Sequence, residues 1–365
     1  MSMNNIKRRS LLRHSLILGA SCALGQSLNV CASSATDQIL DMVHPELRAM
    51  ARQLLTGGIA VAPMSADILM QSRAVMSAVR RAPLEGVSVV RRHAAGGRNQ
   101  PDVEVFIINS DPGKSRPAIL HMHGGGFVLG SAQDAIADLQ VISQDLDCVI
   151  VTVEYRLAPE SSYQDSIEDN YVALKWLYDN AESLGVDPAR IAVMGESAGG
   201  GHAALLSTVA RDRGEVPIAF QCLVYPMLDD RTGTARAVPA HIGKILWTAE
   251  SNRFGWSSFL GVPAGGAKVP ERAVPARMSD VKGLPPAFIG VGSLDLFSEE
   301  CIEYAQRLNQ AGVMTELHVI PGAFHGFDAL QNFGLNTRIG ERFKNAKLES
   351  LRRGLGIAAK ESCPA

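Results

Sequence analysis

The chain has 365 residues, of which 46% are apolar, and 35 basic residues nearly balance 37 acidic ones for a net charge of −2. This apolar content excludes a disordered chain and suffices for one large domain or two ordinary ones. The charge gives no reason to expect nucleic acid as a partner. No apolar run reaches about 18 residues, which argues against a polytopic membrane protein. Six cysteines are too sparse for a disulfide scaffold, and no paired CxxC motif indicates a zinc site.

The first 35 residues have the pattern of an export signal. Four basic residues between 7 and 13 precede a modest apolar stretch, 16–24, and small residues then offer cleavage after Ala32 or Ala35. The basic run RRSLLR resembles a twin-arginine signal. We therefore expect residues 1–32 to be removed, and a periplasmic or secreted mature protein without an integral membrane span.

Two other interpretations of this segment stay open. An ordinary secretory signal can contain two adjacent arginines by chance. A lipoprotein signal would end at Cys22 or Cys31, but Cys22 lacks a leucine three residues before it, and Cys31 follows a valine.

The remaining chain is helical in pattern over 37–85 and then alternates strand-like and helical runs. The strand-like runs are 87–91, 103–108, 117–122, 148–153, 191–195, 219–225, 287–292 and 315–320. The helical runs are about 134–146, 166–184, 198–213, 298–311 and 338–353. Because the later strands are continuously apolar, as in parallel strands covered on both faces, the pattern predicts an α/β fold with a sheet flanked by helices.

The segment 229–283 interrupts this alternation. It is rich in Gly, Pro and Ala and holds two of the three tryptophans, Trp247 and Trp256. We interpret it as an insertion between two core strands. The core then comprises 86–228 and 284–365.

A nucleophile motif follows the strand-like run 191–195. Residues 195–199, Gly-Glu-Ser-Ala-Gly, fit G-x-S-x-G between a strand and a helix, which is the context of a nucleophile elbow. So tight a turn leaves no room for side chains at Gly195 and Gly199, and it presents the Ser197 hydroxyl at a helix N-terminus. The alternative is a serine that merely caps a helix after a glycine turn.

A glycine-rich motif, HGGGF at 123–127, follows the strand-like run 117–122. Acyl transfer passes through an oxyanion that needs N–H donors already aimed at it, and glycines let the backbone approach a substrate. The predicted donors are the N–H groups of Gly124, Gly125 and Ala198. A flexible loop or a phosphate loop is the alternative, but a phosphate loop would end in Gly-Lys-Ser/Thr, whereas 130–132 read Gly-Ser-Ala.

A nucleophilic serine needs a base and a carboxylate that orients it. His325 lies just after the last strand-like run, and Asp295 lies just after the run 287–292, so both fall at the carboxyl edge of the sheet. Rival residues lie in helices, strands, turns or the insertion: His202, His241, His318, Asp229, Asp230 and Asp280.

The combination of HGGGF, YRLAPE at 155–160, GESAGG and a late Asp and His resembles the bacterial hormone-sensitive-lipase-like family of α/β-hydrolases, the fourth family of bacterial lipolytic enzymes. The resemblance covers roughly 85–335. It implies the α/β-hydrolase fold, with a mostly parallel eight-stranded sheet and a helical cap built from 33–85 and 229–283. It implies Ser197 as nucleophile, Asp295 as orienting acid and His325 as base.

The same resemblance implies an oxyanion hole at Gly124, Gly125 and Ala198, and no metal or organic cofactor. Glu196 replaces the family's usual Asp or Thr, which puts the subgroup in doubt. Glu160 in YRLAPE is expected to be a buried turn or network acid.

The sequence thus predicts a serine hydrolase that acts on small-molecule carboxylic esters of short to medium acyl chain. An amidase, peptidase or acyltransferase on the same fold, a non-catalytic binding protein and a structural envelope protein are the alternatives. A homodimer is left open.

Overall fold

The computed structural model describes residues 35–57, 62–97, 100–329 and 335–358, so the predicted export signal at 1–32 lies outside the described residues. The chain divides into two units, Met1–Asp41 and Met42–Ala365. In the first unit, the described residues 35–41 are helical and form α1 there. In the described residues, no helix is both long and apolar enough to cross a membrane.

The second unit is built on the predicted eight-stranded sheet, whose strand order is β1-β2-β4-β3-β5-β6-β7-β8. Its first two strand pairs, β1 with β2 and β2 with β4, are antiparallel, and all the others are parallel. The mostly parallel sheet is therefore confirmed. The strands are β1 Val89–Ala94, β2 Val103–Ile108, β3 Arg116–Met122, β4 Val149–Val153, β5 Val186–Glu196, β6 Phe220–Val224, β7 Ala287–Gly292 and β8 Thr315–Ile320.

Helices pack on both faces of the sheet, and its inner strands are therefore buried along their whole length. The helices of the second unit are α2 Arg48–Leu55, α3 Ala66–Ala78, α4 Ala132–Leu146, α5 Tyr163–Asp179, α6 Ala181–Leu184, α7 Ala198–Arg213, α8 Ala249–Leu260, α9 Ser298–Gln310 and α10 Arg338–Gly354. Short 3-10 turns lie at Pro45–Leu47, Glu271–Ala273 and Pro275–Arg277.

The predicted helical run 166–184 is two helices in the structure, α5 and α6, and α5 begins earlier than predicted, at Tyr163. A capping box places the start at Tyr163, since Ser162 and Asp165 each accept a backbone N–H from the other. The run then breaks at Asn180, whose backbone N–H and side-chain amide both donate to the carbonyl of Trp176 at the end of α5.

The segments 62–85 and 229–283 contact each other and the core. Met64 N–H donates to Ser251 Oγ on α8 at 2.9 Å, and the guanidinium of Arg73 on α3 donates to the carbonyls of Val128 and Ala158. These hydrogen bonds hold α3 and α8 near the loops that follow β3 and β4.

Candidate active site

Ser197 occupies a strained turn between β5 and α7. Its backbone has φ 58° and ψ −120°, which a residue with a side chain adopts only under constraint from its surroundings. A Cβ on Gly195 would overlap the backbone of Gly199, and a Cβ on Gly199 would overlap the carbonyl oxygen of Met122. The two glycines therefore allow β3, β5 and α7 to approach closely enough to lift Ser197 above the sheet.

Three side chains that the sequence places far apart form one line of hydrogen bonds. His325 Nε2 lies 3.0 Å from Ser197 Oγ, and His325 Nδ1 lies 2.9 Å from Asp295 Oδ2. Because an ionised carboxylate only accepts, Nδ1 carries the proton and Nε2 is left to accept the Ser197 hydroxyl proton.

Asp295 and His325 are held together by their own loops. Asp295 is fully buried, and its Oδ1 also accepts the N–H of Phe297 at 2.9 Å. The Leu294 N–H donates to the carbonyl of Ala323 at 2.9 Å, which joins the loop after β7 to the loop after β8. This link keeps the carboxylate at the ring of the histidine.

The glycine-rich loop after β3, which is the predicted oxyanion loop, lies directly against Ser197, the predicted nucleophile. A Cβ on Gly124 would lie 3.5 Å from Ser197 Cβ and 2.9 Å from the carbonyl oxygen of Glu196. Two hydrogen bonds orient the peptide groups of this loop. Tyr155 OH donates to the carbonyl of His123 at 2.6 Å, and His123 Nδ1 lies 2.8 Å from the carbonyl oxygen of Gly124.

These two contacts determine where the loop's N–H groups point. In a trans peptide the carbonyl and the following N–H are antiparallel, so holding the carbonyl of His123 directs the N–H of Gly124 to the opposite side. The His123 ring does the same for the N–H of Gly125. Burial lowers the pKa of His123 to about 4, so its ring is neutral near pH 7 and donates through Nδ1.

The orienting roles of Tyr155 and His123 were not predicted from the sequence. Tyr155 stands in the YRLAPE motif, in which the sequence predicts a role only for Glu160, and no spacing rule links Tyr155 to a loop about 30 residues earlier. The stacked rings of Tyr155 and His123, with centroids 4.2 Å apart, become visible only in the fold.

Trp247 and Leu246, from the segment 229–283, border the same site. The ring edge of Trp247 lies against the backbone of Gly126, and its ring centroid is 6.4 Å from that of His325. Leu246, with φ 65°, approaches Gly326 beside the histidine. An apolar wall thus stands between the oxyanion loop and His325.

The rival residues lie elsewhere. Asp229 pairs with Arg231 and Arg236, Asp230 pairs with Arg277, and Asp280 is exposed. His318 pairs with Glu316 on β8, and His241 is half-buried in the segment 229–283. His202 is buried among the rings of Phe127, Tyr155 and Phe259.

Glu160 differs from the expectation of a buried acid. Its side chain is 56% exposed and pairs with Arg73 on α3. The turn that carries it faces α3 at the surface, so it is a network acid but not a buried one. In the parts of the chain that the structure describes, no cluster of three or more His, Cys, Asp or Glu side chains could hold a metal ion.

Comparison with known proteins identifies the class. The model of the alpha/beta hydrolase fold family matches residues 119–329. The chain belongs to this family, in its hormone-sensitive-lipase-like branch, as the motifs HGGGF and GESAGG predict.

Relatives of known activity and structure agree with this membership. Carboxylesterase NlhH of Mycobacterium tuberculosis is 34% identical over 246 residues, which are 66% of this chain and 74% of that protein. Ethyl acetate hydrolase of Pseudomonas putida is 32% identical over 60% of this chain and 68% of its own length. The solved structure of a bacterial heroin esterase superposes with a TM-score of 0.77 at 34% identity, covering 87% of this chain and 99% of that one.

Proposed function

We propose that Ser197, His325 and Asp295 hydrolyse carboxylic esters in two steps through an acyl-enzyme. The observation that carries this proposal is the continuous hydrogen-bonded line from Asp295 through His325 to Ser197. Ester hydrolysis is the reaction of this protein, since its relatives include carboxylesterases at about 34% identity and its structural neighbours include esterases.

In the first step, His325 Nε2 accepts the hydroxyl proton as Ser197 Oγ attacks the ester carbonyl. The N–H groups of Gly124, Gly125 and Ala198 then stabilise the oxyanion. His325 returns the proton to the leaving alcohol as the ester C–O bond breaks. In the second step, a water molecule gives a proton to His325 and attacks the acyl-enzyme, and Ser197 leaves with that proton as the free acid forms.

The triad is tested by covalent labelling and by substitution. We expect a fluorophosphonate to label Ser197 stoichiometrically, and Ser197→Ala and His325→Ala to fold normally and lose about 10⁴-fold or more in kcat. A matched control is Ser207→Ala, because Ser207 is a buried serine on the same helix that donates only to the carbonyl of Ala203. Labelling of a different serine would contradict the assignment.

We also propose a preference for short to medium acyl chains. Trp247 lies against Gly126 and near His325, and Leu246 lies beside Gly326, so both narrow the space around the site. The apolar residues Trp256, Phe259 and Leu260 of α8 are buried and offer no surface to a lipid interface. On α3, Met70 and Val75 are exposed but lie about 140° apart around the helix. Val79 at the C-cap shares the face of Val75, so this exposed face holds two valines and is narrow. A series of p-nitrophenyl esters from acetyl to palmitoyl tests this preference, and a preference for emulsified long-chain triglyceride would contradict it.

We propose that two segments form the cap, the one that ends at residue 85 and the insertion 229–283. The core below them comprises 86–228 and 284–365. The Met64–Ser251 and Arg73–Val128 hydrogen bonds support this arrangement. The substrate is a small-molecule ester. Light scattering of the purified protein decides whether it is a monomer or a homodimer, which the sequence leaves open.

Export to the periplasm or medium through the twin-arginine route is a further proposal, supported by the sequence of residues 8–13. Replacing Arg8 and Arg9 together by Lys is expected to retain a full-length precursor inside the cell. Normal export of that variant would favour the general secretory route. Activity confined to the cytoplasm for the unmodified protein would contradict export.

A further inference from the structure

A row of polar side chains crosses three neighbouring strands beneath the nucleophile. His121 on β3 lies opposite Thr152 on β4, and its Nδ1 is 2.9 Å from Thr152 Oγ1. His121 Nε2 is 2.9 Å from Glu196 Oε2 at the end of β5. Because the ionised Glu196 only accepts, Nε2 of His121 donates to it.

The two ends of this contact adjoin the two halves of the site. Glu196 immediately precedes Ser197, and His121 lies two residues before the start of the HGGGF loop. The backbone carbonyl of Glu196 is also packed against Gly124. The side-chain pair therefore joins the strand end that bears the nucleophile to the strand end that bears the oxyanion loop.

Glu196 and His121 both line a cavity of about 540 Å³ whose other lining residues include Lys347, Asp328 and Tyr225. Burial by itself would raise the pKa of Glu196, but His121 and then Lys347 hold it below its usual value, so the carboxylate is ionised. Tyr225 OH donates to Asp328 Oδ1 at 3.0 Å, and the Tyr225 ring meets the ring of His325 edge-on at 4.8 Å. His121 and Lys347 thus both help to compensate the charge of Glu196.

We propose that Glu196 and His121 are positioning residues that keep Ser197 and the oxyanion loop at the spacing the acyl transfer needs. The proposal rests on the proposed role of Ser197. Neither side chain contacts the reacting atoms, since each acts through the backbone of its own strand end. It also gives a role to Glu196, which departs from the family's usual residue.

The test compares steady-state kinetics of four variants on p-nitrophenyl butyrate. Glu196→Met and His121→Phe each remove the contact while keeping bulk, the double variant removes both partners, and Glu196→Gln retains an acceptor for His121. We expect each single variant to lower kcat about tenfold with KM within about twofold, because small misplacements of reacting groups lower the rate. We expect the double variant to lose no more than the worse single, and Glu196→Gln to recover most of the rate.

The matched control is Glu316→Met, which breaks the His318–Glu316 pair on β8, where the distance is 2.6 Å. It is expected to leave kcat unchanged. Denaturant unfolding of every variant reports the folded fraction, and if Glu196→Met fails to fold, His121→Phe and Glu196→Gln still decide the question.

Three results would overturn the proposal: an unchanged kcat in folded Glu196→Met and His121→Phe, a rise in KM alone, or losses that multiply in the double variant.

Fluorophosphonate labelling separates failure of this proposal from failure of the proposed function. If the label maps away from Ser197 in the unmodified protein, the triad is wrong. If it maps to Ser197 and labels Glu196→Met at the same rate, the triad stands and the positioning role falls.

Discussion

At the scale of single residues, backbone strain is concentrated around the nucleophile. Four non-glycine residues with positive φ adjoin the site: Ser197 at 58°, Phe127 at 67°, Tyr225 at 33° and Leu246 at 65°. Each such residue costs on the order of 1–3 kcal/mol and persists only where its neighbours constrain it. Phe127 ends the HGGGF motif, Tyr225 packs on the ring of His325, and Leu246 lies beside Gly326, so these strained positions border the residues around Ser197.

Removing the Tyr155 hydroxyl should slow catalysis without unfolding the protein. In Tyr155→Phe the ring still stacks on His123, but the carbonyl of His123 loses its donor, so the N–H of Gly124 is no longer held toward the substrate. We expect kcat to fall about tenfold, with a smaller change in KM, which is less than the roughly 10²–10³-fold loss on removing an oxyanion donor because the N–H of Gly124 is still present. The control is Tyr171→Phe, whose buried hydroxyl donates to Glu215 away from the site. Equal kinetics in the two variants would contradict this role.

Glu154 should make stability depend on pH. Burial raises the pKa of the Glu154 carboxyl from 4.5 to about 7. The stability that its protonated form contributes is therefore fully present below about pH 4.5 and is lost as pH rises through 7. In Glu154→Gln the amide oxygen can still accept the N–H of Ala132, but no charge is buried. We expect the difference in unfolding free energy between the variant and the unmodified protein to change by about 2 to 3 kcal/mol in favour of the variant as pH rises from 4 to 8. A constant difference over that range, measured by denaturant unfolding, would contradict the raised pKa.

At the scale of elements, one side chain of α3 makes four hydrogen bonds to the loops that follow β3 and β4. Arg73 donates to the carbonyls of Val128 and Ala158 and to both oxygens of Glu160, at distances of 2.8 to 2.9 Å. Val128 belongs to the chain that continues the HGGGF loop. The position of α3 is thereby linked to the segment next to the oxyanion loop.

The two partners of this ion pair should contribute unequally. Arg73→Met leaves two backbone carbonyls without their donor, and we expect it to cost about 2 kcal/mol and to speed hydrogen exchange in α3. Glu160→Gln removes only an exposed charge and should cost under about 1 kcal/mol. Hydrogen exchange followed by mass spectrometry checks both, and equal effects would mean that the ion pair, not the carbonyl contacts, holds α3.

At the scale of the whole molecule, the order of strands in the sheet assembles the site. The nucleophile strand β5 lies between β3, which leads to the oxyanion loop, and β6, beyond which β7 and β8 lead to Asp295 and His325. Parallel strands bring all these carboxyl ends to one edge. The same core encloses Cys148, Cys222 and Cys301, which are all free and buried.

These three thiols should be inert in the folded protein. Burial raises the pKa of Cys148 and of Cys222 to about 12, and burial, with Glu300 nearby, raises that of Cys301 as well. At pH 8 the thiolate fraction at a pKa of about 12 is about one in ten thousand. We expect iodoacetamide to modify all three only as the protein unfolds, as measured by peptide mass spectrometry. Modification of any of them under native conditions would reveal local opening of the core.

The sequence by itself determined the parts of the site whose residues are neighbours in the chain. The elbow around Ser197 and the HGGGF loop are local motifs, since their conformation depends on glycines within two or three residues. Strand ends bring Asp295 and His325 to the common edge of the parallel strands, but Asp229 and Asp230 also follow a strand, and the sequence favours Asp295 for its position before His325. The alternation of strands and helices likewise predicts the mostly parallel sheet, since burial on both faces requires continuous apolar runs.

Only the tertiary structure decided which side chains meet across strands and loops. The Tyr155–His123 contact, the His121–Glu196 pair and the position of Trp247 on Gly126 join residues 32, 75 and about 120 positions apart. Such contacts depend on strand order, register and loop paths, which no local periodicity encodes. The expectation that Glu160 is buried failed for the same reason. Its neighbours in the sequence do not indicate that it lies at the surface beside α3.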